Sequence, residues 1–172
     1  MSETERSGEP NILCVGKRAL AAVVGMVLLS CAQEPTVDID QVSMRTRQLA
    51  EATAAAVAPE VKAEPAPTNS LDSCTGEELA LQAIYDLELR WSRGGFDRVA
   101  LRDRAERYFL RQGYDVKIEN PDSEVVDVIA YTNEFNIIIT VTVLGHKDEA
   151  VIYGTSPCIE VDLDTFEKKY LP

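Results

Sequence analysis

Four cysteines, one histidine and a short alternation of carboxylates are the residues of this chain whose types could carry chemistry. The cysteines stand at positions 14, 31, 74 and 158 in contexts that share no spacing, so they do not form one framework and need separate accounts. His146 is the single histidine and falls in Gly145-His146-Lys147-Asp148, a turn composition. A general base needs a partner in reach and a pocket around it, and the tip of a hairpin supplies neither. No serine has the G-x-S-x-G surroundings of a nucleophile elbow, so triad chemistry has little to stand on. Glu160, Asp162 and Asp164 offer oxygens of the kind calcium takes, but the glycine and terminal glutamate of a calcium loop are missing at the required spacing. They read as a solvated acidic tail over 159–172. The expectation is a protein that is not an enzyme, with no catalytic residue, no metal and no cofactor.

Charge narrows the partners. The 172 residues carry 17 basic against 29 acidic side chains, a formal net charge of −12, which repels phosphate backbones and argues against nucleic acid. A length of 172 residues with 45% hydrophobic content suits one domain with a real core.

Cys31 has the clearest context. Lys17 and Arg18 precede an uncharged apolar run, 19–30, and the cysteine follows it directly. That is the layout of a signal peptide, and about twelve apolar residues are too few to cross a bilayer core that needs roughly twenty. Leu28-Leu29-Ser30-Cys31 resembles the bacterial lipobox, in which the chain is cut before a cysteine that carries lipid. Leu29 is a less usual residue at its place in that motif. Residues 1–30 are therefore expected to be a lipoprotein signal peptide, with Cys31 lipidated and 31–37 a tether. Each buried acyl CH₂ contributes roughly 0.8 kcal/mol, so two or three chains hold a domain at a membrane surface. Glu3, Glu5 and Glu9 place acid where a signal peptide is basic, which favours translation from Val15 over Met1; Cys14 is then never made.

The elements that follow are read from periodicity. Residues 38–58 read as a helix, with Asp38 or Asp40 as N-cap and Ile39, Val42, Leu49, Thr53 and Val57 along one stripe; it ends at Pro59. Its alanines leave little to bury, so it is expected to dock loosely as an accessory. The Pro-, Ala- and Ser-containing stretch 59–73 reads as a linker or irregular loop. From residue 83 to 91, Tyr85, Leu87, Leu89 and Trp91 alternate with Asp86, Glu88 and Arg90, a half-buried strand; a helix is the alternative for 77–82. Helical spacing returns over 96–112, through Leu101, Ala105, Tyr108 and Phe109, with Gly113 placed as the residue after the C-cap. Four strands in a meander are expected at 114–119, 124–132, 135–144 and 149–154. The third of them is apolar or β-branched on both faces and is expected in the middle of the sheet with both sides covered.

The helix over 96–112 carries a local basic excess. Arg98, Arg102 and Arg104 are candidates for contact with anionic headgroups or cell-wall polymers, against a solvated helix face with pairs such as Asp103 and Arg107. Cys74 and Cys158 bracket the first and last strands of 74–158. If those strands pair antiparallel the two cysteines can meet, and an oxidising space would make them a disulfide. The alternatives are two free thiols or a metal pair, and the sequence supplies too few further ligands for a metal.

The lipobox, the Ala-rich helix, Cys74, the helix ending in Arg111-Gln112-Gly113-Tyr114, the meander and Ser156-Pro157-Cys158 together resemble small secreted lipoproteins common in actinobacteria. The resemblance covers most of the chain after the leader and implies the envelope address and an α+β architecture, with no activity to carry over. The sequence thus predicts an α+β domain, a five-stranded and mostly antiparallel sheet on one main helix with an N-terminal accessory helix. Its expected role is non-enzymatic, binding a protein or cell-wall partner beside the membrane. The rivals are small-molecule or lipid capture between helix and sheet, and an enzyme of unrecognised type.

Overall fold

The computed structural model describes residues 37–66, 69–74, 79–91 and 96–170. The chain divides into residues 1–34 and 35–172, and every described residue lies in the second unit. Its elements in chain order are α1 (Ile39–Val57), β1 (Glu64–Pro65), β2 (Ser70–Ser73), β3 (Ala80–Arg90), α2 (Arg98–Arg111), β4 (Asp115–Glu119), β5 (Val125–Tyr131), β6 (Ile138–Leu144), β7 (Glu149–Thr155), β8 (Ile159–Glu160) and α3 (Leu163–Tyr170). The fold is α+β with one antiparallel sheet in the order β1-β3-β7-β6-β5-β4, and β2 and β8 also pair with β3.

The sheet is larger than five strands because β3 is longer than its alternating core. Ala80 to Gln82, where a helix was the alternative, belong to the strand. On one edge β3 carries β7 and then β8, in the registers Leu87↔Ile152 and Leu81↔Ile159. On the other it carries β2 and β1, in the registers Leu71↔Ala83 and Pro65↔Leu87. The stretch expected as a linker thus supplies two strands, and the expected acidic tail supplies β8 and α3. These pieces are short and polar; it is the backbone of β3, far away in sequence, that makes them strands.

The N-terminal helix docks more tightly than its alanines suggest. Asp38 caps α1, its carboxylate accepting from the Asp40 N–H at 3.0 Å, and Pro59 follows its end. Val42, Leu49, Ala50, Ala54 and Val57 are buried in the same core as Leu87, Leu89 and Ile152, so α1 is a main packing helix and no loose accessory. Its alanines permit close approach to the sheet. Thr46 and Thr53 are buried too, and each satisfies its hydroxyl by donating to the carbonyl four residues back, Val42 at 2.9 Å and Leu49 at 2.8 Å.

The second helix begins with Asp97, which accepts from the Ala100 N–H at 3.0 Å. It ends at Gly113, whose φ of +75° suits a residue without a side chain. The Tyr114 N–H then reaches the Phe109 carbonyl at 3.2 Å and the Gly113 N–H reaches that of Leu110 at 3.0 Å, which closes the helix end in a Schellman arrangement. Leu101, Ala105 and Phe109 bury the inner stripe of α2 against β4, β5 and β6. Phe135 and Asn136 have φ of 54° and 52° and form the turn between β5 and β6, so they lie outside the strand expected to start at 135.

At Gly154 α1 comes close against the sheet. A Cβ there would lie 2.9 Å from Thr46 Cγ2, 3.2 Å from the Tyr85 carbonyl and 3.4 Å from Ile139 Cδ1. Gly154→Ala is expected to destabilise the fold by about 1–3 kcal/mol, the usual cost of overpacking a core. Chemical denaturation measures it, and an unchanged midpoint would show that α1 does not press on the sheet.

Candidate functional site

Cys14 and Cys31 lie outside the described residues. Cys74 and Cys158 are at disulfide distance, with sulfurs 1.99 Å and Cα atoms 6.2 Å apart across 84 residues of sequence. The pairing of β3 with β7 and β8 brings them there, since Cys74 precedes β3 and Cys158 lies between β7 and β8. A loop of 84 residues corresponds to about 4–5 kcal/mol in the chain-entropy account of a cross-link. Ser156 repairs the break between β7 and β8. Its Oγ accepts the Ala83 N–H at 2.8 Å and donates to the Pro157 carbonyl at 2.8 Å, while its own N–H reaches the Ala83 carbonyl at 3.0 Å.

The three candidate arginines do not converge. Arg98 donates to the Ser123 carbonyl at 2.7 Å, at the turn before β5. Arg102 pairs with Asp103 at 2.8 Å, so Asp103 has a neighbour along the chain as its partner. Arg104 forms a two-pronged pair with Glu60, at 2.9 and 3.2 Å, between α2 and the segment after α1. His146 is exposed in the turn between β6 and β7. Glu160 lies in β8, Asp162 just before α3 and Asp164 in its first turn; among the described residues no three His, Cys, Asp or Glu side chains gather as a metal would require.

The two faces of the sheet are unlike. Both α1 and α2 pack on the face that carries Leu87, Leu89, Val128, Ala130, Ile139, Val141, Ala150 and Ile152. Neither α1 nor α2 packs on the opposite face. The central position of β6 places only its Ile139, Val141 and Val143 in the core; Ile138, Thr140, Thr142 and Leu144 are half-buried on the open side. The expectation that β6 is covered on both sides is thereby corrected: β-branched residues make a good strand whether or not the second face is roofed.

Registers fix the open face row by row. One row runs Lys117, Ile129, Thr140, Tyr153 and ends at the buried Asp86, and the next runs Glu119, Asp127, Thr142, Val151, Glu88, Glu64. A third row places Tyr131 beside Ile138. Tyr131 and Tyr153 are 41% and 38% exposed, high values for tyrosines inside a sheet. Burial pushes the Tyr153 phenol above its ordinary pKa, and the negative charges of Asp86, Asp127 and Glu88 push it further. Asp127 accepts from the Thr142 hydroxyl, and Lys117 pairs with Glu119 at 2.6 Å. No local pattern in the sequence marks this face, because the row appears only when six strands are set side by side.

A groove of about 450 Å³ lies between the end of α1 and the β1 edge. Ala54, Ala58, Val61, Tyr85 and Leu87 line it, with Glu51 at its wall. Glu51 accepts from the Tyr85 hydroxyl at 3.1 Å and from Arg47 at 2.9 Å. Burial and this carboxylate raise the Tyr85 pKa. No protein-family model matches the chain, and neither a curated protein nor a solved structure is significantly similar to it.

Glu60 gives the domain an optical reporter. It accepts from Trp91 Nε1 at 3.3 Å as well as from Arg104, and Trp91 is the chain's single tryptophan. The Arg104 hydrogen bond holds the Glu60 carboxyl below its ordinary value of 4.5. A lowered carboxyl contributes stability that is present above the unfolded pKa and lost as pH falls through the folded one. The Glu60 side chain is 44% exposed, so that contribution is small. Trp91 emission is expected to change on acidification with a midpoint below 4.5, and Glu60→Gln to abolish the step. A midpoint at or above 4.5 in the wild type would contradict the pairing.

Proposed function

We propose that this chain is an extracytoplasmic lipoprotein, cut before Cys31 and held by lipid at the outer face of a cell membrane, whose domain has a non-enzymatic role in binding an envelope protein. The family resemblance to small actinobacterial lipoproteins belongs to the same proposal. One observation carries it: Cys74 and Cys158 stand at disulfide distance, an arrangement that an oxidising compartment makes permanent and a reducing cytosol does not. The signal-peptide layout before Cys31 supplies the route to that compartment. Among the described residues no helix is long and apolar enough to cross a membrane.

Packing supports binding at a surface over capture inside. The layer between helices and sheet is filled, with Val42, Leu89, Phe109, Val141 and Ile152 fully buried and Thr46 pressed on Gly154. Capture of a small molecule is the second reading, and the groove lined by Ala54, Ala58 and Tyr85 offers it space. Protein is favoured over an anionic cell-wall polymer because Arg98, Arg102 and Arg104 are each engaged within the domain.

Intact mass and membrane fractionation in an actinobacterial host test the anchor. The wild type is expected in the membrane fraction with a diacylglyceryl mass on a chain that starts at Cys31. Cys31→Ala is expected to be released or left uncut. A soluble wild type cut at another residue would overturn the tethered reading.

A further inference from the structure

The row Glu119, Asp127, Thr142, Val151, Glu88, Glu64 crosses six strands on the face opposite α1 and α2, about 24 Å at about 4.8 Å per strand. It contains four carboxylates and no base. Two of its neighbouring pairs, Glu119↔Asp127 and Glu64↔Glu88, set like charges directly opposite each other, which destabilises a sheet on its own. Lys117 and Arg90, in the adjoining rows, relieve Glu119 and Glu88 in part, through contacts of 2.6 and 2.5 Å. Asp127 has a hydroxyl, from Thr142, and no basic partner among the ion pairs of the described residues. Ile129 shares the row of Tyr153, and Ile138 and Tyr131 in the row beyond add further apolar surface.

We propose that this face docks a basic, partly apolar segment of a partner protein, with lysine or arginine side chains over the acidic row and apolar side chains over Tyr131, Ile129, Ile138 and Tyr153. The inference rests on the binding role proposed above and names the chemistry of the partner. Charge selects this occupant. A second copy of the chain brings a net charge of −12 and is repelled, as are anionic lipids and phosphate-bearing polymers. A small inorganic cation or a polyamine would leave the apolar half unused. Exposed tyrosine rings beside carboxylates also suit guanidinium and ammonium groups, which are drawn to ring faces as well as to charge.

The width of the row sets the probe. An extended peptide needs about seven residues to span about 24 Å, so a fluorescein-labelled decapeptide of alternating lysine and leucine is long enough. Fluorescence anisotropy with the purified full-length chain is expected to show saturable binding that weakens steeply with added salt, and no binding of the glutamate-leucine counterpart. Asp127→Asn with Glu88→Gln is expected to weaken binding at least tenfold. Asp103→Asn with Glu106→Gln removes the same charge from α2 and is expected to leave binding within twofold of wild type. Circular dichroism of both variants establishes that they are folded. Equal weakening by the two double variants would mean that net charge alone attracts the peptide, and the docking face would be wrong. Equal affinity for a decapeptide of lysine alone would likewise overturn it. A failure of either kind beside a lipid-modified Cys31 removes the docking face and leaves the tethered reading standing.

Discussion

The strand β3 is the constraint on which the rest of the molecule depends. It is the strand that gathers four others: β7 and β8 on one side, β2 and β1 on the other. Its odd-numbered apolar residues receive α1, and its even-numbered residues place Asp86 and Glu88 on the opposite face. The same strand brings the Cys74–Cys158 pair together, because it fixes where β7 ends and β8 begins. Disturbing β3 would therefore affect the helix packing, the cross-link and the acidic row at once.

The close seat of α1 is the price of that arrangement. Small residues, Ala50 and Ala54 on the helix and Gly154 on β7, let backbone approach backbone, and the remaining space is filled by Val42, Leu49 and Val57. Ion pairs then fasten the periphery: Arg45 with Glu134 at 2.7 Å joins α1 to the turn before β6, and Arg104 with Glu60 joins α2 to the segment after α1. Being partly exposed, they position elements more than they stabilise them. Both of the longer helices are thereby committed to one side of the sheet.

Local patterns in the sequence were enough to read most of the larger elements. The alternation from Tyr85 to Leu89, the helical spacing of Leu101, Ala105 and Phe109, and Gly113 beyond the helix end each reflect a physical demand made within a few residues. What escaped reading is non-local. Glu64–Pro65 and Ser70–Ser73 have no strand pattern of their own and become strands only because β3 offers a free edge. The alanines of α1 suggested weak docking when taken by propensity, whereas their small size is what permits tight docking against Gly154. The open face was the least legible feature, since Glu119, Asp127, Glu88 and Glu64 are spread over 64–127 and become neighbours only through the registers.

The proposed binding role rests on asymmetry: a packed helical side that stabilises and an acidic, tyrosine-bearing side left for a partner. Oxidative footprinting read by mass spectrometry tests that most directly, comparing Tyr131 and Tyr153 in the purified chain and in intact envelope membranes of the cell that makes it. The account predicts ready labelling of both tyrosines in the purified chain and strong protection of both in the membranes, with half-buried Tyr85 on the helix side unchanged. Labelling of Tyr131 and Tyr153 to the same extent in both preparations would contradict it.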